Sequence, residues 1–264
     1  GMLLLLETGV LEHVIPELLT GVSMEQNLHH IYTVWEHNIR ALKYAADKDY
    51  SLAVRLASLL HDVGKPASRR GEGRNCTFYG HEVIGARMTA QIMERLKFPR
   101  ELSEKVIRLV RYHLFYYHPD EVTESSVRRL LANVGPENME DLLKVREADR
   151  IGSGTPKAIP YKLRHLKYVV DKVSHDPISV KMLKVNGNDV MKMLGIAPGP
   201  KIGLLLNSLL AGVLDDPSRN AREYLEQRLR ELDKKSPDEL RTALVRIEQE
   251  IEAKERERMR KYSV

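Results

Sequence analysis

The chain has 264 residues, 42% hydrophobic and 30% charged. That is enough to bury one large core or two smaller ones beneath a wetted surface. A single cysteine, Cys76, excludes an internal disulfide, and the apolar run from Leu3 to Leu6 is too short for a signal sequence or a membrane span. The net charge of +5 is a mild bias toward anionic partners such as RNA or phosphates. A cytoplasmic protein without membrane attachment is expected, with Gly1 ahead of Met2 as a remnant of tag removal.

Helical periodicity dominates, and no run of alternating strands stands out. Helices are predicted near 31–47, 50–63, 81–96, 100–116, 124–134 and 137–150. Gly and Pro residues in 152–160 break helices and divide an N-terminal domain, 1–153, from a helical C-terminal region, 154–264. In the latter, helices are predicted near 160–172, 187–194, 200–214, 218–232 and 237–262. The last has the plainest start: Ser236 can N-cap it, Pro237 takes the first helical position and Glu239 completes a capping box. Its Leu240, Leu244, Ile247 and Ile251 recur at 4-3-4 spacing, a stripe suited equally to pairing two chains as a homodimer and to packing on its own domain. Lys254, Arg256, Arg258, Arg260 and Lys261 beyond it suit RNA, although Glu255 and Glu257 dilute that charge.

The chemistry lies in polar residues on apolar faces. Val34, His37, Ala41 and Ala45 share one helical stripe, and Val54, Ala57 and His61 share another, with Asp62 beside it. His81, Ile84, Met88 and Ile92 align, with Gly85 leaving room for close approach. Val106, Leu109, Val110 and His113 align, as do Leu142, Val145 and Asp149. These are the i, i+3, i+4 and i+7 relations of core-facing positions. A lone inward histidine is usually a satisfied core residue. Four histidines and two aspartates facing one interior would cost several kcal/mol each if left unpaired, so about that magnitude of stabilisation is required. A divalent metal supplies it, because neutral imidazole and carboxylate are its natural ligands.

The run Leu59-Leu60-His61-Asp62-Val63-Gly64-Lys65-Pro66, with His37 upstream and Ala148-Asp149-Arg150 downstream, resembles the His…His-Asp…Asp pattern of the HD phosphohydrolase superfamily. His81 and His113 match the two extra histidines of its two-metal variants. Leu11–Leu18, Phe78–Ala86, Val185–Met191, Gly199–Gly203 and Asp216–Asn220 resemble the C-terminal half of bacterial CCA-adding enzymes and poly(A) polymerases. The N-terminal nucleotidyltransferase head of those polymerases is lacking here, and Gly152-Ser153 is followed by no Asp-x-Asp strand, so nucleotide addition is not expected. The resemblance implies an all-α HD-domain helical bundle with a helical C-terminal extension like the RNA-binding tail of bacterial tRNA nucleotidyltransferases. It also implies metal ligation by His37, His61, Asp62, His81, His113 and Asp149, with Asp62 bridging two divalent ions. Nitrogen and oxygen ligands without thiolate suit Mn, Fe, Ni, Zn or Mg alike.

Around this set, Lys65, Arg69, Arg70 and Arg74 are candidates to bind phosphate or RNA, and Lys65 also a catalytic role beside Asp62. Arg150 diverges from Asp149 by roughly 100° of helix and is expected to form a structural ion pair. Gly199–Gly203 opens a helix whose N–H groups suit a phosphate, and Tyr112, Tyr116 and Tyr117 suit base stacking or packing. The resulting expectation is a metal-dependent phosphodiesterase or phosphatase acting on nucleotide or RNA phosphoesters. The alternative is a tRNA-binding, non-polymerising part of a nucleotidyltransferase with a vestigial metal site.

Overall fold

The computed structural model describes residues 1–26, 31–71, 73, 76–115, 117–118, 122–154 and 161–262, with side chains described except at 161, 162, 255, 256 and 258–262. Of the expectations above, those for Arg74 and Tyr116, for most of the 152–160 segment and for the side chains of Arg256, Arg258, Arg260 and Lys261 lie outside the described residues. The helices in chain order are α1 (Met2–Glu7), α2 (Leu11–Val14), α3 (Val34–Asp47), α4 (Leu52–Leu60), α5 (Lys65–Ser68), α6 (His81–Arg95) and α7 (Arg100–Tyr112). They continue as α8 (Glu124–Val134), α9 (Pro136–Gly152), α10 (Tyr161–Val173), α11 (Gly187–Leu194), α12 (Pro200–Asp215), α13 (Arg222–Asp233) and α14 (Pro237–Tyr262). Among the described residues there is no strand, only an isolated antiparallel bridge between Arg70 and Thr77. The fold is all-α. No described helix is long and apolar enough to cross a membrane.

Contacts divide the chain into two compact units, residues 1–115 with 134–161, and 116–133 with 162–264. In the first, α3 packs on α4 and α9, α4 packs on α7 and α9, and α6 lies along α7. Thr33 starts α3 with a capping box: its hydroxyl accepts from the Glu36 N–H at 3.2 Å, and the Glu36 carboxylate accepts from the Thr33 N–H at 2.9 Å. Inward-facing Val34, Ala41, Val54, Ala57, Val106, Leu109, Leu142 and Val145 are all buried. Burial of each larger aliphatic side chain contributes roughly 1.5–3 kcal/mol. On α9, Glu147 accepts from the hydroxyls of Tyr44 at 2.7 Å and Tyr50 at 3.0 Å, which fixes α9 against α3. Burial, and then the Glu147 carboxylate, push the Tyr50 phenol up to about 12.

The second unit has its own core, in which Val190, Leu205, Leu209, Val213, Leu225, Leu229 and Leu240 are buried together. The capping box expected at Ser236 and Glu239 forms, with bonds of 2.7 and 3.2 Å. α14 packs on α12 of the same unit, with Leu240 in the shared core and Leu244, Ile247 and Ile251 half-buried. Arg128 of α8 is buried, and it donates to the carbonyls of Leu214 at 2.8 Å and Asp215 at 3.1 Å and to the Asp176 carboxylate at 3.0 Å. Those carbonyls are the unsatisfied acceptors of the α12 C-terminus, where a cation is also favoured by the helix dipole. Arg128→Ala leaves them and Asp176 unpaired, and is expected to destabilise this unit by about 3 kcal/mol. A denaturant titration in which the variant keeps the wild-type midpoint would refute this role.

Candidate metal centre

The structure brings His37, His61, Asp62, His81, His113 and Asp149 together inside the first unit, and all six are buried. Each arrives from a different local setting. His37 lies at the end of the first turn of α3 and Asp149 near the end of α9. His61 follows the last residue of α4, in the turn from 61 to 64, and His113 follows the last residue of α7. Both helices therefore stop earlier than the predicted 50–63 and 100–116. His81 is the first residue of α6, after Gly80.

Position at a helix end decides the chemistry of these rings. The last carbonyls of a helix have no intrahelical partner. His61 Nδ1 lies 2.9 Å from the Ser58 carbonyl of α4, and His113 Nδ1 lies 2.7 Å from the Val110 carbonyl of α7. His81 Nδ1 makes the same bond to the Phe78 carbonyl at 2.8 Å. A carbonyl can only accept, so each Nδ1 carries the hydrogen and the neutral ring leaves a bare Nε2. All three Nε2 atoms point at Asp62. This is the outer bonding that orients metal-ligating histidines.

Asp62 is shared. Its Oδ2 lies 3.2 Å from His37 Nε2 and 3.3 Å from His61 Nε2, and its Oδ1 lies 3.2 Å from His81 Nε2 and 3.8 Å from His113 Nε2. Asp149 Oδ1 completes the first set, 3.2 Å from His37 Nε2 and 3.7 Å from His61 Nε2. Two triads, His37-His61-Asp62 and Asp62-His81-His113, are thus arranged as a metal ion would need.

Two observations fit a divalent cation to these residues. His37 Nε2 and His61 Nε2 are 2.9 Å apart, and His81 Nε2 and His113 Nε2 are 3.3 Å apart. Neighbouring ligands bonded at ~2.0–2.1 Å to one metal lie roughly 2.9–3.4 Å from each other. Asp62 Oδ2 is also buried with no well-directed hydrogen bond, although Lys65 Nζ stands 2.6 Å away. Orphaned buried acceptors are rare, and an ion is one of the few explanations for them.

The electrostatics agree. Burial alone would raise the Asp62 carboxyl, but Lys65 and His61 hold it well below the usual range. Burial likewise opposes ionisation of Asp149, and Arg146 with His37 and His61 overcomes it. Burial lowers His61, yet Asp62 and Asp149 push it up to about 10. His113 is driven well below its ordinary value, first by burial and then by His61 and His81. Two buried carboxylates demand positive charge among the histidines, and a proton on His61 answers that demand in the metal-free chain. A metal ion must displace that proton.

The other sequence candidates divide. Lys65 is buried against Asp62 rather than held on a solvated loop. Arg69 is half-buried, and Arg70 is exposed with its backbone paired to Thr77 in two 2.9 Å bonds. As expected from the 100° divergence, Asp149 is contacted not by its neighbour Arg150 but by Arg146, which reaches Asp149 Oδ2 from one turn earlier and lies over the Phe115 ring. Positions i and i+3 share a helix face and adjacent positions do not, so helix spacing alone would have singled out Arg146. The close approach expected at Gly85 is present, with the Gly64 backbone lying against it, and the position with the least room is Gly64. A Cβ there would lie 2.2 Å from the His81 carbonyl oxygen, whereas one at Gly85 would meet ordinary contacts of 3.4 Å and more.

Comparison with known proteins agrees with this geometry. Residues 34–152, which contain all six buried ligand-type residues, match the family model described as HD domain. Over these residues the chain is similar to HD domains. It is 33% identical over 218 residues to the A-adding tRNA nucleotidyltransferase of Deinococcus radiodurans, which covers 79% of this chain and 49% of that protein. It is 32% identical over 214 residues to the CC-adding tRNA nucleotidyltransferase of Thermus thermophilus, covering 80% and 48%. It is 28% identical over 167 residues to the multifunctional CCA protein of Neisseria gonorrhoeae, covering 61% and 40%. The chain thus spans about half the length or less of these curated relatives. Similarity to the first two extends well beyond the limits of the HD domain.

Proposed function

We propose that the HD domain is a two-metal phosphohydrolase that acts on nucleotide or RNA phosphoesters. The observation that carries the reading is Asp62, a buried carboxylate whose two oxygens face two separate histidine pairs. His37, His61, Asp62 and Asp149 would hold one ion, and Asp62, His81 and His113 the second, with Mn, Fe, Ni, Zn and Mg all compatible with the donors. Bound divalent ions supply Lewis acidity for a phosphoryl oxygen and a lowered pKa for attacking water. The chain's own residues do the rest. The Nδ1–carbonyl bonds hold three rings in one tautomer, burial excludes bulk water, and Asp62 sets the spacing of the two sites. Arg146, with one face on Phe115 and its charge at Asp149, together with half-buried Arg69 and exposed Arg70, would supply cations for the substrate phosphate.

A second reading is favoured by the relatives. Two of them are tRNA nucleotidyltransferases, and similarity to those two covers about four-fifths of this chain. The C-terminal region, 154–264, would then bind RNA, with the metal centre as a structural or vestigial element.

One experiment separates the two. Metal-free protein is loaded in turn with Mn²⁺, Ni²⁺, Zn²⁺ and Mg²⁺, then assayed on 2′,3′-cyclic nucleotides, nucleoside monophosphates and an RNA oligonucleotide, with tRNA binding measured alongside. Hydrolysis that needs added metal and stops with a chelator is the expected result. Metal-loaded protein that binds tRNA and turns over none of these esters would leave the second reading in place of the first.

A further inference from the structure

A polar network enters the metal centre from outside the six ligand-type residues. Lys65 opens α5 with its side chain buried, and its Nζ stands 2.6 Å from Asp62 Oδ2. The same Nζ donates to Gln26 Oε1 at 2.6 Å and lies 5.7 Å from the centre of the Phe78 ring. Gln26 is itself only 4% exposed. Its Nε2 donates to the carbonyls of Tyr32 at 3.2 Å and Thr33 at 3.4 Å. Thr33 caps α3, the helix that carries His37. One neutral side chain therefore ties the start of the His37 helix to the single ammonium beside the shared carboxylate.

We propose that Gln26 is a positioning residue for the metal centre and acts through Lys65. It holds the ammonium at a fixed place beside Asp62 and so sets how strongly the shared carboxylate binds a divalent cation. The proposal rests on the metal reading of the site. An ammonium and a metal ion compete for the same Oδ2, and in a buried site that competition is strong. Lys65 has three N–H groups to satisfy. Gln26 Oε1 takes one, and the carboxylate and the Phe78 face attract the charge. With the Gln26 acceptor removed, the buried ammonium has Asp62 as its remaining oxygen partner and is drawn onto it, against the metal. A carboxylate at position 26 does the reverse, pulling Lys65 away from Asp62.

The test is calorimetric titration of the metal-free full chain with Mn²⁺, with the melting temperature of each variant recorded. Gln26→Met keeps the volume and loses the acceptor. It is expected to weaken Mn²⁺ binding roughly tenfold, the scale of one hydrogen bond to a charged group. Gln26→Glu is expected to match or exceed wild-type affinity. Lys65→Met removes the competitor and is expected to tighten binding by about tenfold or more. In the Lys65→Met background, Gln26→Met is expected to change nothing, because the residue it acts through is gone. If Gln26→Met has the same effect in both backgrounds, or if the Met and Glu variants at 26 shift affinity in the same direction, Gln26 is only a packing residue and the proposal is overturned. Absence of Mn²⁺ uptake by the wild type would instead overturn the metal-centre reading on which it rests.

Discussion

Asp62→Ala is expected to remove metal uptake and the proposed phosphoester hydrolysis together while leaving the helices in place. Among the described residues the carboxylate is the only ligand-type group common to both histidine sets, with His37 and His61 at 3.2 and 3.3 Å from one oxygen and His81 at 3.2 Å from the other. Its loss leaves His81 and His113 with no carboxylate and His37 and His61 with Asp149 alone, and imidazoles with too few carboxylates bind a hard divalent ion poorly. Hydrolysis should fall by roughly a thousandfold, about 4 kcal/mol of transition-state stabilisation. The fold is expected to persist because buried apolar faces on α3, α4, α7 and α9 hold the first unit together. Some stability will be lost, since Lys65 loses the carboxylate beside its buried ammonium. Metal content by elemental analysis and helix content by circular dichroism check the two halves separately. Collapse of the helical signal would mean that the metal site is structural. Retained metal at full stoichiometry would mean that Asp62 does not bridge.

The inward placement of the six ligand-type residues is legible in the sequence, because helical spacing fixes which side chains share a face. His37 falls on the stripe of Val34, Ala41 and Ala45, all buried, and Asp149 on that of Leu142 and Val145. What spacing does not show is where helices stop. The periodicity of 50–63 and 100–116 runs on past Leu60 and Tyr112, where α4 and α7 end. Those ends depend on non-local events, such as α6 pressing on Gly64, and on ring-to-carbonyl bonds at His61 and His113 that form only once the helix has ended. Long-range pairing is equally hidden. Arg128 finds its carbonyls 86 and 87 residues downstream, and Gln26 finds Lys65 39 residues away. No local window contains such a pair. Arg146 is a different case, since its i,i+3 relation to Asp149 is present in the sequence itself.

Gly64→Ala is expected to cost about 3 kcal/mol or more and to dismantle one half of the metal centre. Gly64 has φ −82° and ψ −10°, a conformation open to any residue, so backbone strain is not the cause. On the unfolded-state argument alone, alanine here should stabilise by roughly 0.4–1 kcal/mol. Space decides otherwise. The added Cβ would lie 2.2 Å from the His81 carbonyl oxygen, 2.5 Å from the Gly85 nitrogen and 3.0 Å from the Gly85 Cα. These are backbone atoms of the first turns of α6 and cannot rotate away as a side chain can. Overpacking against movable side chains already costs about 1–3 kcal/mol, and moving a helix backbone should lie at or above that range. Relief comes from separating α6 from the 61–64 turn, which carries His81 away from Asp62 and breaks the Asp62-His81-His113 set. His37, His61 and Asp149 stand on α3, the α4 turn and α9, and keep their mutual geometry. The variant should therefore lose stability in urea and bind one metal equivalent fewer than wild type. Gly85→Ala, whose Cβ would meet nothing closer than 3.4 Å, should do neither. If Gly64→Ala unfolds at the wild-type midpoint with full metal content, the close packing of α6 on the 61–64 turn is not what positions His81.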